Sequence, residues 1–375
     1  MEAKSEMAEP IPAAAVASVF GNDDLLREIL LRLGFPTRLV RAAAVSKRWL
    51  RNASDPGFLC RFRHPYPFGL LGFCIRTAGH PRALFVPMMP QAPELVTFIR
   101  RGGFDLPDGA EDVWDCRGGR LVVSAVGGRY AVCSPLYPAR GVATFPSPCI
   151  IPGTVRRPLI SGDDGDHTAV ALVVGGKGVW VHLSDLQARD DGAALELVTL
   201  PRYWGICPKF GLLTYGNLYM ISIAGHIIGL DLPTRSLFYI DLPEGVSGVN
   251  FKLSRAEGTG FYLIQVKEFQ IHIWLHSTGN NAGNWDLVDT ICLHQVLGNL
   301  AHPTWLSEGA VTQVAAVGDN ADFLFLRIEY EVFYMHKRSR AVEKVYELQE
   351  PDCDIHPFMM VWPPTFPALD DGLSG

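Results

Sequence analysis

The sequence predicts an α+β multidomain protein: a small all-α module near the N-terminus, then an all-β, propeller-like domain of about six irregular blades. Three observations carry this prediction. Helical periodicity is confined to residues 22–64, short apolar runs bounded by turn residues replace it afterwards, and these runs recur at a spacing typical of propeller blades. A sandwich or stacked irregular sheets stay open as the alternative for the β domain.

The composition is that of a globular protein with two domains. The chain has 375 residues, of which 48% are hydrophobic and 19% charged, so it can bury a sizeable core. The 37 glycines and 27 prolines imply many turns and favour short strands. The predicted divisions are a disordered arm over residues 1–18, the helical module over 19–64, the β domain over 65–365 and a flexible tail over 366–375.

The chain carries no targeting or membrane signal of the kinds we sought. Its N-terminus lacks the basic, then apolar pattern of a signal peptide, and no run of about 18 apolar residues is present. The eight cysteines form no CxxC pair, so a zinc site has no local scaffold. We therefore expect a cytoplasmic and/or nuclear protein with reduced thiols, no membrane partner and no cofactor or metal.

The first helix of the module is predicted to start at Asn22, a favourable N-cap. Asp23 and Asp24 place negative charge in the first turn, where the helix dipole favours it. Gly34 and Pro36 are predicted to end the helix. The apolar positions of this segment fall on one face, and they are Leu25, Leu26, Ile29, Leu30 and Leu33.

Three more short helices are predicted before residue 64. The second starts near Thr37, the third is capped by Ser46, and the fourth is opened by Asp55 and Pro56. Their predicted inward residues are Leu39, Val40, Ala43, Trp49, Leu50, Ala53, Phe58, Leu59 and Phe62. So small a bundle buries little apolar surface and is expected to need a partner or a neighbouring domain.

The β domain is predicted from short runs that echo one another. The predicted strands are Leu70–Ile75, Arg120–Ser124, Ala169–Val174, Val179–Leu183, Leu218–Ile223, Phe261–Val266, Ile271–Leu275 and Phe323–Ile328. Leu-Pro pairs close two units at Leu200 and Leu242, 42 residues apart. Repeat units are predicted to begin near residues 68, 110, 155, 210, 250 and 310.

The charge is unevenly spread along the chain. Residues 20–64 hold nine basic and four acidic residues, a local charge of +5. Because the net charge of the chain is −6, the remaining residues carry −11. A basic module on an acidic body favours an acidic partner for the module. Nucleic acid is the less favoured alternative, because the patch is short and holds no nucleic-acid-binding motif.

The order of residue types in the helical module is more specific evidence for a family than its helical periodicity. The segments that carry this specificity are Asp23–Leu33, Leu39–Trp49 with its Val-Ser-Lys-Arg-Trp ending, and Ser54–Leu59 with its Asp-Pro-Gly-Phe core. Together they resemble the F-box. The family usually has Leu-Pro where this chain has Phe20–Gly21, a proline where it has Gly34, and a cysteine where it has Ser46. A glycine at the entry leaves the first helix less rigidly placed.

The F-box resemblance implies binding to the SKP adaptor of SCF-type cullin–RING ubiquitin ligases, an acidic protein in that family. It implies that the apolar contacts are Leu25, Leu26, Ile29, Leu30, Leu33, Leu39 and Val45, with Lys47 and Trp49 positioning the third helix.

The β domain, with its ending His356–Pro364, is similar to the F-box-associated propeller-like domains of plant F-box proteins. We therefore expect the substrate-recognition subunit of an SCF-type ligase, holding an unidentified target protein. Alternatives are an F-box protein that acts outside ubiquitination and a propeller hydrolase.

Catalytic and metal-binding patterns are weak. Gly175–Gly178 lacks the spacing of a phosphate loop and is expected to be a hairpin turn. The cluster Asp163–His167 could supply metal ligands, but it is expected to be a solvated loop and not a metal site. His272 and His276 are predicted to lie on one strand about 13 Å apart, too far to share an ion. The chain is therefore predicted not to be an enzyme. The Phe358–Trp362 segment is predicted to close the ring against the first blade.

Overall fold

The computed structural model of the protein describes 21–63, 69–77, 82–89, 93–107, 110, 112–125, 129–145, 155–160, 168–175, 178–185, 195–198, 206–222, 225–234, 236–247, 250–256, 260–277, 284–302, 305, 310–350, 353–360, 364 and 366. The chain forms two compact units. We call Met1–Gly69 with Met360–Gly375 the helical unit, and Leu70–Met359 the propeller unit. The predicted arm, and all of the predicted tail except Phe366, lie outside the described residues.

The helical unit contains the four short helices that the sequence predicts. They are α1 Asp23–Leu31, α2 Pro36–Ala43, α3 Lys47–Ala53 and α4 Pro56–Arg63. Helix α2 starts at Pro36, one residue before the predicted Thr37, because the fixed φ of proline suits the first helical position. Gly34 adopts a φ of +72° between α1 and α2, a conformation that glycine adopts without steric cost.

The described part of the propeller unit contains five four-stranded antiparallel sheets and one three-stranded sheet. Blade 1 contains β3 Val113–Arg117, β4 Arg120–Ala125, β5 Arg129–Cys133 and β6 Val142–Phe145. Blade 2 contains β7 Val155–Ile160, β8 Thr168–Gly175, β9 Gly178–Asp185 and β10 Leu195–Val198. Blade 3 contains β11 Ile206–Thr214, β12 Asn217–Ser222, β13 His226–Asp231 and β14 Leu237–Asp241.

The remaining sheets complete the ring. Blade 4 contains β15 Phe251–Arg255, β16 Phe261–Lys267, β17 Gln270–His276 and β18 Trp285–Cys292. Blade 5 contains β19 Thr312–Val317, β20 Phe323–Ile328, β21 Glu331–His336 and β22 Val342–Glu347. The three-stranded closing sheet contains β1 Leu70–Thr77, β2 Leu84–Pro87 and β23 Cys353–Met359. The first strands of successive blades are neighbours, and β23 lies between β19 and β3.

The predicted count of about six blades is corrected by this topology. Five sheets are full four-stranded blades, and the sixth has three strands in the described part of the chain. The reason is that the first repeat unit supplies two strands and borrows its third from the end of the chain. The predicted propeller architecture itself is confirmed, and the predicted strand runs overlap observed strands throughout.

Ring closure depends on the pairing of β1 with β23. The register joins Ile75 to Ile355 and Thr77 to Cys353, and Phe358 in β23 is fully buried. The closing strand therefore ends at Met359, earlier than the predicted Phe358–Trp362 segment, of which residues 361 and 362 lie outside the description. This pairing places β1 between β2 and β23, so both edges of β1 are hydrogen-bonded where the two ends of the domain meet.

The antiparallel order gives the propeller two faces. The hairpin face carries the turns between the first and second strands of each blade, such as Tyr215–Gly216. The connection face carries the turns between second and third strands, such as Glu329–Tyr330, and the connections from one blade to the next, such as 293–311.

Two helices interrupt the predicted all-β domain. Helix α5 Pro93–Arg101 precedes blade 1, and helix α6 Leu293–Leu297 lies in the connection from blade 4 to blade 5. The α5 sequence begins with proline and ends with Arg100 and Arg101, a pattern that favours a helix and that the sequence interpretation missed.

Candidate functional site

The caps of the helical unit set where its side chains point. The Oδ1 atom of Asn22 accepts hydrogen bonds from the backbone N–H groups of Asp24 and Leu25 at 2.9 and 3.3 Å. The Ser46 Oγ atom accepts one from Trp49 N at 3.3 Å, and Asp55 Oδ1 accepts one from Phe58 N at 2.8 Å. All three predicted caps are confirmed, and each fixes the start of one helix.

The core of the helical unit takes up several of the predicted adaptor contacts. Leu26, Leu30 and Leu39 are fully buried, so a partner cannot reach them in this conformation. They pack with the predicted inward residues of the other helices, which are Ala43, Ala53, Phe58, Leu59 and Phe62. These three leucines support the fold of the unit and hold its surface in place.

Intermediate burial is found at three more of the predicted contacts. Ile29, Leu33 and Trp49 are half-buried, and Leu33 and Trp49 pack against the buried core of the unit. Each could present an edge to a partner while its remainder supports the helices.

The exposed members of the predicted set lie at one end of the unit. Leu25 is 44% exposed and Val45 is 65% exposed, and Lys47 is also exposed. We call Leu25, Val45 and Lys47 the exposed end. An ion pair between Arg48 and Asp23, at 2.6 Å, ties the start of α3 to the start of α1 and so brings the three positions to the same end. Large exposed apolar side chains beside a cation are typical of a protein-binding surface.

A polar network fixes the geometry behind this end. Asn52, 3% exposed, donates through Nδ2 to Asp23 Oδ1 at 3.1 Å and to the Arg48 carbonyl at 3.0 Å. Its Oδ1 atom accepts from Arg27 Nε at 3.0 Å. Arg48 also donates to the Gly21 carbonyl at 2.6 Å. Both Nδ2 donors and the Oδ1 acceptor of Asn52 are thus engaged, and two of the three bonds join α3 to α1.

The electrostatics of the network favour its charged form. Hydrogen bonds from Arg48 and then from Asn52 hold the pKa of Asp23 below its ordinary value of 3.8. The carboxylate therefore stays ionised at neutral pH. Its contribution to the stability of the folded unit is lost as the pH falls through the lowered pKa of the folded state.

Sequence reasoning missed Asn52. It assigned the inward face of α3 to Trp49, Leu50 and Ala53 and did not consider a polar residue among them. The available signal is its spacing: Asn52 lies four positions after Arg48 and one before Ala53, on the face that α3 turns towards α1.

Positive charge is distributed around the helical unit. Arg48 and Arg61 pair with Asp23 and Glu28, at 2.6 and 2.7 Å. Exposed arginines outside these pairs include Arg32, Arg41 and Arg51. The surface therefore presents the basic character that the sequence predicts.

The propeller shows no assembled metal site in the part of the chain that the structure describes. The candidate cluster Asp163–His167 lies outside the described residues, as do residues 176 and 177 of the glycine-rich turn. His272 and His276 both lie on β17, as predicted. Among the helices of the described segments, none is long and apolar enough to span a bilayer.

Three thiols of the closing sheet and blade 1 are unsuited to nucleophilic chemistry. Burial raises the pKa of Cys74 to about 12 and that of Cys133 to about 11, and it raises that of Cys116 well above its ordinary value. These thiols stay protonated at neutral pH, whereas nucleophilic attack needs the thiolate.

Comparison with known proteins identifies one matching family. The model of "F-box protein AT5G49610-like, beta-propeller" matches residues 112–366, more than half of the chain. A search of curated proteins gave no significant match.

The solved structures that are similar to this chain include the following three. The β-propeller domain of Cps50 (Swd1) from Myceliophteria thermophila has 9% identity and a TM-score of 0.40, covering 66% of this chain and 88% of its own. The WD40 domain of SCAP from fission yeast has 6% identity and a TM-score of 0.36, with 65% of this chain and 56% of its own covered. Apo AztD from Citrobacter koseri has 11% identity and a TM-score of 0.34, covering 64% and 73%.

Proposed function

The chain belongs to the AT5G49610-like family of F-box proteins with a β-propeller, and we propose that it is the substrate-recognition subunit of an SCF-type ubiquitin ligase. The helical unit binds a SKP-type adaptor and through it a cullin, and the propeller unit holds the target protein. The protein performs no chemistry itself. It raises the effective concentration of the target near a ubiquitin-charged enzyme. The proposal places the protein in the cytoplasm and/or nucleus.

One observation carries the adaptor proposal. Leu25 and Val45 are exposed large apolar side chains at the same end of a unit whose other predicted apolar contacts are buried or half-buried. Exposing both side chains to water is unfavourable for the isolated protein, and an apolar groove in a partner would remove that cost. We therefore propose that the adaptor binds the exposed end together with the half-buried Ile29, Leu33 and Trp49. Leu26, Leu30 and Leu39 support this surface from the core of the unit.

Charge supports the same partner. Lys47 and the exposed arginines of the unit suit an acidic protein, and an acidic adaptor is what the F-box resemblance implies. Attraction between opposite charges raises the rate of association and is weakened by salt.

The test is capture of the full-length protein by a purified SKP adaptor. We expect the double variant Leu25→Ser, Val45→Ser to lower capture by at least about tenfold, since two central apolar anchors are lost. The matched control is Leu84→Ser, Leu300→Ser, which changes two leucines of the propeller that are 41% and 45% exposed. Equal capture of wild type and the exposed-end variant would refute the adaptor surface.

A second measurement separates the ligase from the alternative role. Cullin in the captured complex, together with ubiquitin transfer to a bound target, is the result expected of a substrate receptor. Adaptor capture without cullin would instead support an F-box protein that acts outside ubiquitination.

A further inference from the structure

The connection face of blade 5 exposes two large apolar side chains on two segments that are hydrogen-bonded to each other. Val311 is 58% exposed and Tyr330 is 47% exposed. Glu329, the neighbour of Tyr330, donates its N–H to the Val311 carbonyl at 3.1 Å, and its Oε1 atom accepts from Val311 N at 2.6 Å. The Tyr330 carbonyl accepts from Leu348 N at 2.7 Å, so the connection to β23 adjoins the same turn.

Carboxylates lie in the segment that carries Tyr330 and in the adjoining connection. Glu329 and Glu331 are the chain neighbours of Tyr330, and Glu347 and Glu350 lie one position before and two positions after Leu348. Lys344 bridges Glu331 at 2.6 Å and Glu347 at 2.9 Å. Counted over these five described residues, four carboxylates and one ammonium group give a charge of −3. We call Val311, Tyr330 and these five charged residues the Tyr330 patch.

The turn that carries Tyr330 runs into a strand anchored in the core of the propeller unit. Phe333, 1% exposed and three residues along β21, packs edge to face with Trp305 at 5.8 Å between ring centroids. Glu329 adopts a φ of +51°, a left-handed conformation that is unfavourable for a residue with a side chain. Its two hydrogen bonds with Val311 hold it there, so the turn is fixed before any partner arrives.

We propose that the Tyr330 patch is the docking surface for the target protein, and that it takes an extended segment in which lysine or arginine flanks large apolar side chains. This inference rests on the proposed function and names the recognition surface and the chemistry of the target. An apolar pair within a net charge of −3 matches a segment that is both apolar and cationic. The Tyr330 ring offers a face for a cation, and the carboxylates offer acceptors for its N–H groups.

The test uses the full-length protein and fluorescein-labelled peptides followed by anisotropy. The first probe has lysines and arginines flanking a leucine and a phenylalanine. The second keeps the apolar residues and replaces the bases by glutamate, and the third keeps the bases and replaces the apolar residues by serine. We expect the first probe to bind, with weaker affinity at higher salt, and the other two to bind at least about tenfold more weakly.

Variants locate the binding. Tyr330→Ser is expected to weaken the first probe at least about tenfold, and Glu350→Lys to weaken it as well by charge reversal at an exposed position. Tyr239→Ser, at a tyrosine of blade 3 that is 41% exposed, serves as the matched control and should leave the affinity unchanged. Equal affinity across these variants, or equal binding of the acidic probe, would overturn the proposal.

Two further outcomes are decisive. A wild-type dimer in sedimentation that Tyr330→Ser dissociates would mean that a second copy covers the patch, which overturns docking of a target. Adaptor capture of Tyr330→Ser should equal that of wild type. If wild type fails to capture the adaptor while the first probe still binds through Tyr330, the ligase role fails and the peptide-binding surface stands.

Discussion

The Nδ2 group of Asn52 donates a hydrogen bond to Asp23 Oδ1 at 3.1 Å, across 29 positions of the chain. Because Asn52 lies in α3 and Asp23 in α1, this bond joins two helices that have little core of their own, together with the Arg27–Asn52 bond and the Arg48–Asp23 ion pair. The exposed end of the helical unit is defined by these same two helix starts. Its shape therefore depends on a buried amide as well as on apolar packing.

We expect Asn52→Ala to loosen the junction of α1 with α3. The change removes three hydrogen bonds and leaves Arg27 with one partner fewer, a loss of about 1–3 kcal/mol. Hydrogen exchange of peptides covering residues 22–33 should become faster, while peptides of the propeller keep their protection. Arg51→Ala, an exposed change on the same helix, is the control and should alter neither. Unchanged exchange in Asn52→Ala would contradict the role of the amide.

Gly260 is expected to reject a side chain. A Cβ atom there would lie 2.4 Å from the backbone carbonyl oxygen of His276, the neighbour across the β16–β17 pair. Because a backbone atom cannot turn aside, blade 4 would have to shift, at a cost of about 2 kcal/mol or more. Denaturant unfolding of Gly260→Ala should therefore show a lower midpoint than wild type.

The control for Gly260→Ala is Gly103→Ala. A Cβ atom at Gly103 would meet its nearest neighbour, Pro138 Cβ, at 3.5 Å, which is ordinary contact. The two variants make the same chemical change, so equal midpoints would show that the close approach at Gly260 is relieved without cost.

Local patterns predicted those parts of the fold that local physics decides. The caps at Asn22, Ser46 and Asp55 could be predicted because a cap binds residues two or three positions away. The strand Phe323–Ile328 was predicted with both boundaries correct, because every one of its residues is buried and its run is continuous.

Long-range relationships could not be predicted in the same way. The F-box resemblance implies an adaptor contact at both Leu25 and Leu26, yet Leu25 is 44% exposed and Leu26 is fully buried. Which of two adjacent leucines points inward depends on where the other helices lie. The sequence predicts that the C-terminal segment closes the ring against the first blade, and the pairing of β1 with β23 agrees with this. The register of that pairing and the end of the strand at Met359 depend on contacts across the ring, and no local pattern shows them.

Removing β23 is expected to open the propeller. A chain that ends at Gln349 loses the seven residues of β23 that pair with β1, among them the buried Ile355 and Phe358. The closing sheet would keep one hairpin and an exposed edge, so the thermal midpoint should fall sharply. A chain that ends at Phe366 keeps β23 and is the control. Equal thermal midpoints for the two truncated chains would contradict closure by this strand.

His276 is expected to make the stability of the propeller sensitive to mild acid. Its ring is 4% exposed, stacks on Phe261 at 5.0 Å and meets Trp285 at 4.9 Å. Neither ring nitrogen has a hydrogen-bond partner among the described residues, and burial lowers the pKa of the group below its ordinary value of 6.5. The neutral ring is therefore the form that the folded state accommodates.

The direction of the pH effect follows from this lowered pKa. Below about pH 6.5 the unfolded chain binds a proton that the folded chain does not, so the free energy of unfolding falls with pH until the folded-state pKa is passed. His276→Phe removes the proton site and keeps an aromatic ring between Phe261 and Trp285. Thermal midpoints at pH 7.5 and 5.5 should therefore differ less in His276→Phe than in wild type. His272→Phe, on the same strand but half-exposed, should keep the wild-type difference. If His276→Phe loses as much stability on acidification as wild type, the pH sensitivity arises elsewhere.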